Sequence, residues 1–90
     1  MAELRRIQET IRELAGRRKN VELSEIQWVI NQLALLGYRT TARKTRHSIL
    51  FSVDSHRFGV CSHNPGSGQV KACYVNDFID AMIDLGIYED

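Results

Sequence analysis

The sequence predicts a small two-layer α+β domain: a three-stranded antiparallel sheet with helices packed on one face, in the order α-α-β-β-β-α. Three observations lead there. Apolar residues recur at helical spacing up to Leu36, the pattern changes to period two from Tyr38 to His63, and helical spacing returns near the C-terminus. Ninety residues correspond to one domain, and a hydrophobic content of 43% is enough for a single core.

Leu4, Ile7, Ile11, Leu14 and Ala15 make the apolar stripe of a first helix, which Gly16 and the basic run RRKN bring to an end. Its other face mixes Arg and Glu, as expected for a solvated helix packing one stripe. A second helix is expected to be capped by Ser24, with Gln27 completing a capping box and Leu23 and Trp28 forming a hydrophobic staple. Ile26, Val29, Ile30, Leu33 and Leu36 are its buried stripe, and Gly37 supplies the left-handed residue that stops it.

YRTTARKT then reads as a polar strand, HSILFSVD as a strong one and RFGVCSH as a third. In the strong strand Ile49, Phe51 and Val53 share the core face, while Ser48, Leu50 and Ser52 share the wetter one. The joins after Lys44 and Asp54 are short enough for antiparallel hairpins, with His56 expected in the second turn. HNPGSGQV interrupts regular structure. A last helix is expected from Asn76 or Asp77 to Leu85, with Phe78, Met82 and Leu85 inward and Gly86-Ile87 as a glycine cap whose hydrophobe folds back.

Composition narrows the class of protein. No stretch approaches eighteen apolar residues, so no membrane span is expected, and the amphipathic N-terminus does not read as a signal peptide. Cys61 and Cys73 stand alone without a Cys-x-x-Cys pair or a clustered His set, which argues against a disulfide framework or a zinc site and for a reduced, cytoplasmic protein. The net charge of +1 is unevenly distributed: residues 39–71 hold six Lys/Arg against one acid, and residues 72–90 hold five acids and no Lys/Arg. Such a basic middle suits an anionic partner.

Candidate chemistry gathers at "KTRHSILFSV", where Lys44 and Arg46 run into His47 at the start of the strong strand, with Arg43 just before. His47 reads either as a histidine at the core margin or as an acid–base group facing an anion held by those cations. The GSG at 66–68 lacks the strand, helix and Lys-Ser/Thr of a phosphate-binding loop and reads as a connector. Asp77, Asp80 and Asp84 share one side of the last helix and read as a solvated acidic face; no metal site and no cofactor is expected.

LLGYR, RHSILF and HNPGSGQVKACYVNDFIDAMIDLGI together resemble HicA-type toxins, the small ribonucleases of HicAB toxin–antitoxin pairs; the likeness runs over residues 23–88. It divides the chain into an N-terminal helix and basic connector, 1–20, and a HicA-like domain, 21–90. The resemblance implies a double-stranded-RNA-binding-domain-like fold and metal-independent mRNA cleavage, silenced by a HicB-like antitoxin. It makes His47 the catalytic residue, Arg43, Lys44, Arg46 and Lys71 the RNA contacts, and His63 a candidate auxiliary group. A non-catalytic RNA-binding or protein-interaction module on the same fold is the alternative, and a homo-oligomer stays open.

Overall fold

The computed structural model describes residues 4–45, 48–61 and 69–89. Its elements are α1 (Leu4–Ala15), β1 (Val21–Glu22), α2 (Leu23–Leu35), β2 (Thr40–Lys44), β3 (Ile49–Val53), β4 (His56–Val60), β5 (Gln69–Val70) and α3 (Ala72–Asp84). The main sheet is antiparallel in the order β2-β3-β4, so the expected α+β architecture is present. Register pairs Arg43 with Leu50, Lys44 with Ile49, Phe51 with Phe58 and Ile49 with Val60.

Strand alternation separates the two faces as expected. Phe51, Val53, Phe58 and Val60 are buried, whereas Leu50 on the opposite face is 47% exposed. Phe51 and Phe58 pack across the strands with ring centroids 5.6 Å apart, and Phe58 meets Phe78 of α3 at 5.6 Å, so three rings join the sheet to a helix.

The N-terminal helix belongs to the same core. Ile7, Ile11 and Leu14 are fully buried, at the three-and-four spacing that aligns them on one face of α1. Gln8 Nε2 donates to the Ile87 carbonyl at 2.8 Å, and Arg18 Nη1 donates to Asn76 Oδ1 at 2.6 Å, which ties the N-terminal segment to α3 and the chain beyond it.

Both glycine stops form as the sequence predicts. Gly37 (φ +107°) and Gly86 (φ +75°) take the left-handed conformation that glycine adopts without steric cost. The N–H of Tyr38 reaches the Leu33 carbonyl at 3.1 Å and that of Ile87 reaches Met82 at 3.0 Å, the six-to-one bonds of this cap. Ile87 is buried behind the second of them.

The start of α2 differs from expectation. A two-stranded pair, Val21↔Val70 and Glu22↔Gln69, holds Glu22 extended, and α2 begins directly after it. Glu22 is therefore the N-cap, and Glu25, not Gln27, accepts the cap's backbone N–H, at 3.0 Å. The staple positions move with it to Val21 and Ile26, both fully buried. Leu23 and Trp28 instead pack partly buried against the core.

Two further boundaries shift. α3 begins at Ala72, about a turn before the expected Asn76, because the β5 pairing ends at Val70 and Lys71 turns the chain as N-cap. His56 is not in the β3–β4 turn but is the first residue of β4, opposite Val53. The turn is Asp54-Ser55. Asp54 carries φ 54°, a conformation that a short polar side chain tolerates. Its carboxylate Oδ1 accepts the Arg39 N–H at 3.0 Å, and its own N–H donates to the Arg39 carbonyl at 2.7 Å.

Candidate functional site

Three of the cationic residues singled out from the sequence, Arg43, Lys44 and Lys71, lie toward one end of the main sheet, Arg43 on the Leu50 face and Lys44 on the Ile49 face. Lys44 closes β2, pairs with Ile49 at the start of β3, and Ile49 pairs in turn with Val60 at the end of β4. One residue on, the Cys61 carbonyl accepts the N–H of Lys71 at 3.3 Å, so the N-cap of α3 docks at this same end. Lys44 and Val60 are two inter-strand spacings apart, about 10 Å, which leaves Lys71 just beyond that span. Arg43, Lys44 and Lys71 are all exposed.

A hydroxyl-rich closure joins β2 to β3 here. The Thr45 N–H donates to the Ser48 carbonyl at 2.8 Å, and the Ser48 N–H donates back to Thr45 Oγ1 at 3.1 Å. The two side-chain oxygens lie 2.8 Å apart. Threonine and serine hydroxyls commonly bond nearby backbone in this way and hold tight connections. Sequence reading passed over Thr45 and Ser48 as flanks of a basic run; their spacing of three residues was the available signal. Arg46 and His47 fall between them, and these two, together with His63, lie outside the described residues.

The acidic face is placed away from this end. Asp77, Asp80 and Asp84 line a groove with His56, Arg57, Phe58 and Gly59, so α3 runs back along β4 toward the β3–β4 turn. Along the helix Asp77 and Asp84 are about 9 and 20 Å from Lys71. Arg57 of β4 shares that groove with the three aspartates. Among the described residues no three of His, Cys, Asp and Glu come together as a metal site, and no helix is long and apolar enough to cross a membrane.

A second charged cluster is structural. Arg17 forks onto Glu25, with Nη1 on Oε1 at 3.0 Å and Nη2 on Oε2, and Nη2 also meets Glu13 Oε1 at 3.3 Å. The hydrogen bond from Arg17 holds the Glu25 carboxyl below its ordinary pKa against the opposing effect of burial, and the carboxylates hold the guanidinium above its own. This network ties the connector after α1 to the first turn of α2.

No family model, no curated protein and no solved structure matches the chain.

Proposed function

We propose that this protein is an RNA-cleaving toxin of the HicA type, a metal-independent mRNA endoribonuclease that works from the β2–β3 end of its sheet. The observation that supports this reading is the placement of exposed Arg43, Lys44 and Lys71 toward the end of the sheet where Thr45 and Ser48 bracket, in sequence, Arg46 and His47. In this reading an RNA backbone held there by the cations passes the β2–β3 connection, to which His47 belongs in sequence. Electrostatic attraction of this kind supplies affinity without sequence preference.

In this mechanism His47 takes the proton from a ribose 2′-OH or gives one to the departing 5′ oxygen. Arg43, Lys44, Arg46 and Lys71 neutralise the charge that builds on the oxygens bonded to phosphorus. His63 is the candidate for the second proton-transfer group. A HicB-like antitoxin is the partner that would cover this end and silence it. Of the α3 aspartates, Asp80 and Asp84 lie farther along the helix from Lys71 than Asp77, and Arg57 in their groove offsets part of the acidic charge.

The test is expression of the native chain beside His47→Ala in cells without an antitoxin. The native chain should arrest growth and deplete mRNA, and the variant should do neither while keeping its far-ultraviolet circular dichroism. A harmless native chain, or a variant of equal toxicity, removes the catalytic assignment. If both chains still bind RNA in that case, the non-catalytic RNA-binding module stands in its place.

A further inference from the structure

β2 ends the main sheet, which runs β2-β3-β4, so one long side of its backbone faces no neighbouring strand. Two hydrogen bonds fix which groups lie on that side. The Asp54 N–H donates to the Arg39 carbonyl at 2.7 Å and the Thr45 N–H donates to the Ser48 carbonyl at 2.8 Å, just beyond either end of the β2–β3 ladder. In an antiparallel pair, residues that bond the partner strand alternate with residues whose N–H and carbonyl point away from it. Arg39, Thr41, Arg43 and Thr45 therefore face β3, and the backbone groups of Thr40, Ala42 and Lys44 point outward.

Helix α2 runs beside this edge. A groove of about 350 Å³ lies between them, lined by Gln27, Ile30 and Asn31 of the helix and by Thr40, Ala42 and Phe51 of the sheet. Ile30 and Phe51 are buried, whereas Gln27, Asn31 and Ala42 are exposed, so the floor is apolar and the helical rim carries two amides. An edge strand of this kind can take up an extended peptide as a further strand. Backbone hydrogen bonds then supply affinity, and pockets for alternate side chains supply selectivity.

Charge selects the occupant. The two charged side chains of β2, Arg43 and Lys44, are both cations. Arg43 lies on the Leu50 face and Lys44 on the Ile49 face, so they flank an added strand from both sides. A second copy of β2 would bring the same two cations and no acid, and lysine on an edge strand guards against such self-pairing. We propose that β2 binds an extended acidic segment of a partner protein, which joins the sheet as a fourth strand with an apolar side chain opposite Ala42 and carboxylates beside Arg43 and Lys44. The residue opposite Ala42 exchanges both backbone hydrogen bonds with it. This binding does not rest on RNA cleavage. Where the proposed function holds, the segment and RNA compete for Arg43 and Lys44.

The probe is the fluorescently labelled peptide Thr-Asp-Glu-Val-Glu-Asp-Thr, whose side chains come in the same order from either end. It is titrated with the full-length chain and followed by anisotropy and by amide hydrogen exchange. The peptide should bind and, at saturation, slow exchange at Ala42 and Lys44 about tenfold or more, with little change at Thr41 and Arg43, which already bond β3. N-methylation of the central valine removes the donor to the Ala42 carbonyl and leaves every charge in place, and it should weaken binding by about tenfold. Ala42→Pro removes an outward N–H at a position where an edge strand accepts proline, and it should weaken binding likewise. The N-methylated peptide keeps the test decisive on the native chain even where that variant fails to fold. No binding, equal binding of the N-methylated peptide, or slowing spread evenly over Thr41, Ala42, Arg43 and Lys44 would overturn the proposal. Slow exchange at Ala42 and Lys44 in the concentrated chain without peptide would assign the edge to a second copy and overturn it too. A chain that binds the peptide yet leaves mRNA intact in cells keeps this site and loses only the cleavage reading.

Discussion

At Glu25 one carboxylate accepts the N–H of the residue that caps α2 and receives the fork of Arg17 from the preceding connector. Glutamine keeps an oxygen that accepts the cap's N–H but loses the charge that Arg17 forks onto, so Glu25→Gln should cost about 1 kcal/mol, a fall in Tm of roughly 4–8 °C for a domain of this size. The pH dependence follows from the same contacts. The folded-state pKa of Glu25 is lowered by Arg17, so its contribution is fully present above the unfolded value of about 4.3 and is lost as pH falls through the folded value. Melting curves of the native chain and Glu25→Gln should therefore differ at neutral pH and converge in acid. Curves that stay parallel down to pH 2 would remove the role assigned to this carboxylate. A capping box was legible in the sequence, but on Ser24 and Gln27. Both Ser24-x-x-Gln27 and Glu22-x-x-Glu25 have the required spacing, and only the pairing of Glu22 with Gln69, 47 positions along the chain, selects the second.

The helix α1 illustrates the same point for elements. Its apolar stripe was evident from spacing, and the structure buries Ile7, Ile11 and Leu14 completely beside α2 and α3. Each such side chain is worth about 1.5–3 kcal/mol on burial. Their sum is comparable to the entire stability of a small domain, about 5–15 kcal/mol. A chain beginning at residue 21 should consequently lose its cooperative thermal transition. If that shortened chain melts as sharply as the native one, α1 is an accessory and not a part of the core. The short strands β1 and β5 escaped sequence reading because two residues are too few to display a period, and β5 follows a stretch rich in glycine and proline. Their pairing nevertheless sets where both α2 and α3 begin, which is why those two starts were misplaced while both glycine-stopped ends fell where expected.

Across the whole molecule, Arg43, Lys44 and Lys71 are exposed toward one end of the main sheet, and Asp77, Asp80 and Asp84 run along β4 toward the other, with Arg57 among them. Binding of single-stranded RNA through three or four of the proposed cations should release about 0.7 counterion per contact, a slope of roughly −2 to −3 in log affinity against log salt. Replacing Lys44 and Lys71 together by Ala should weaken binding and flatten that slope by about one unit or more, checked by fluorescence anisotropy in a salt series. An affinity indifferent to salt would exclude this end of the sheet as an electrostatic RNA site. The blocks of charge were countable in the sequence, as were the helix stripes, the alternation of β3 and the stops at Gly37 and Gly86, because each depends on side chains within a few residues of one another. Contacts between distant positions were not legible. The approach of Lys71 to the Lys44 end, the Val21–Val70 pairing, the Arg17–Glu25 fork and the Cys61–Lys71 junction arise when the chain closes around a shared core. Local propensity specifies the pieces, whereas burial of their apolar faces against one another selects which distant side chains become neighbours.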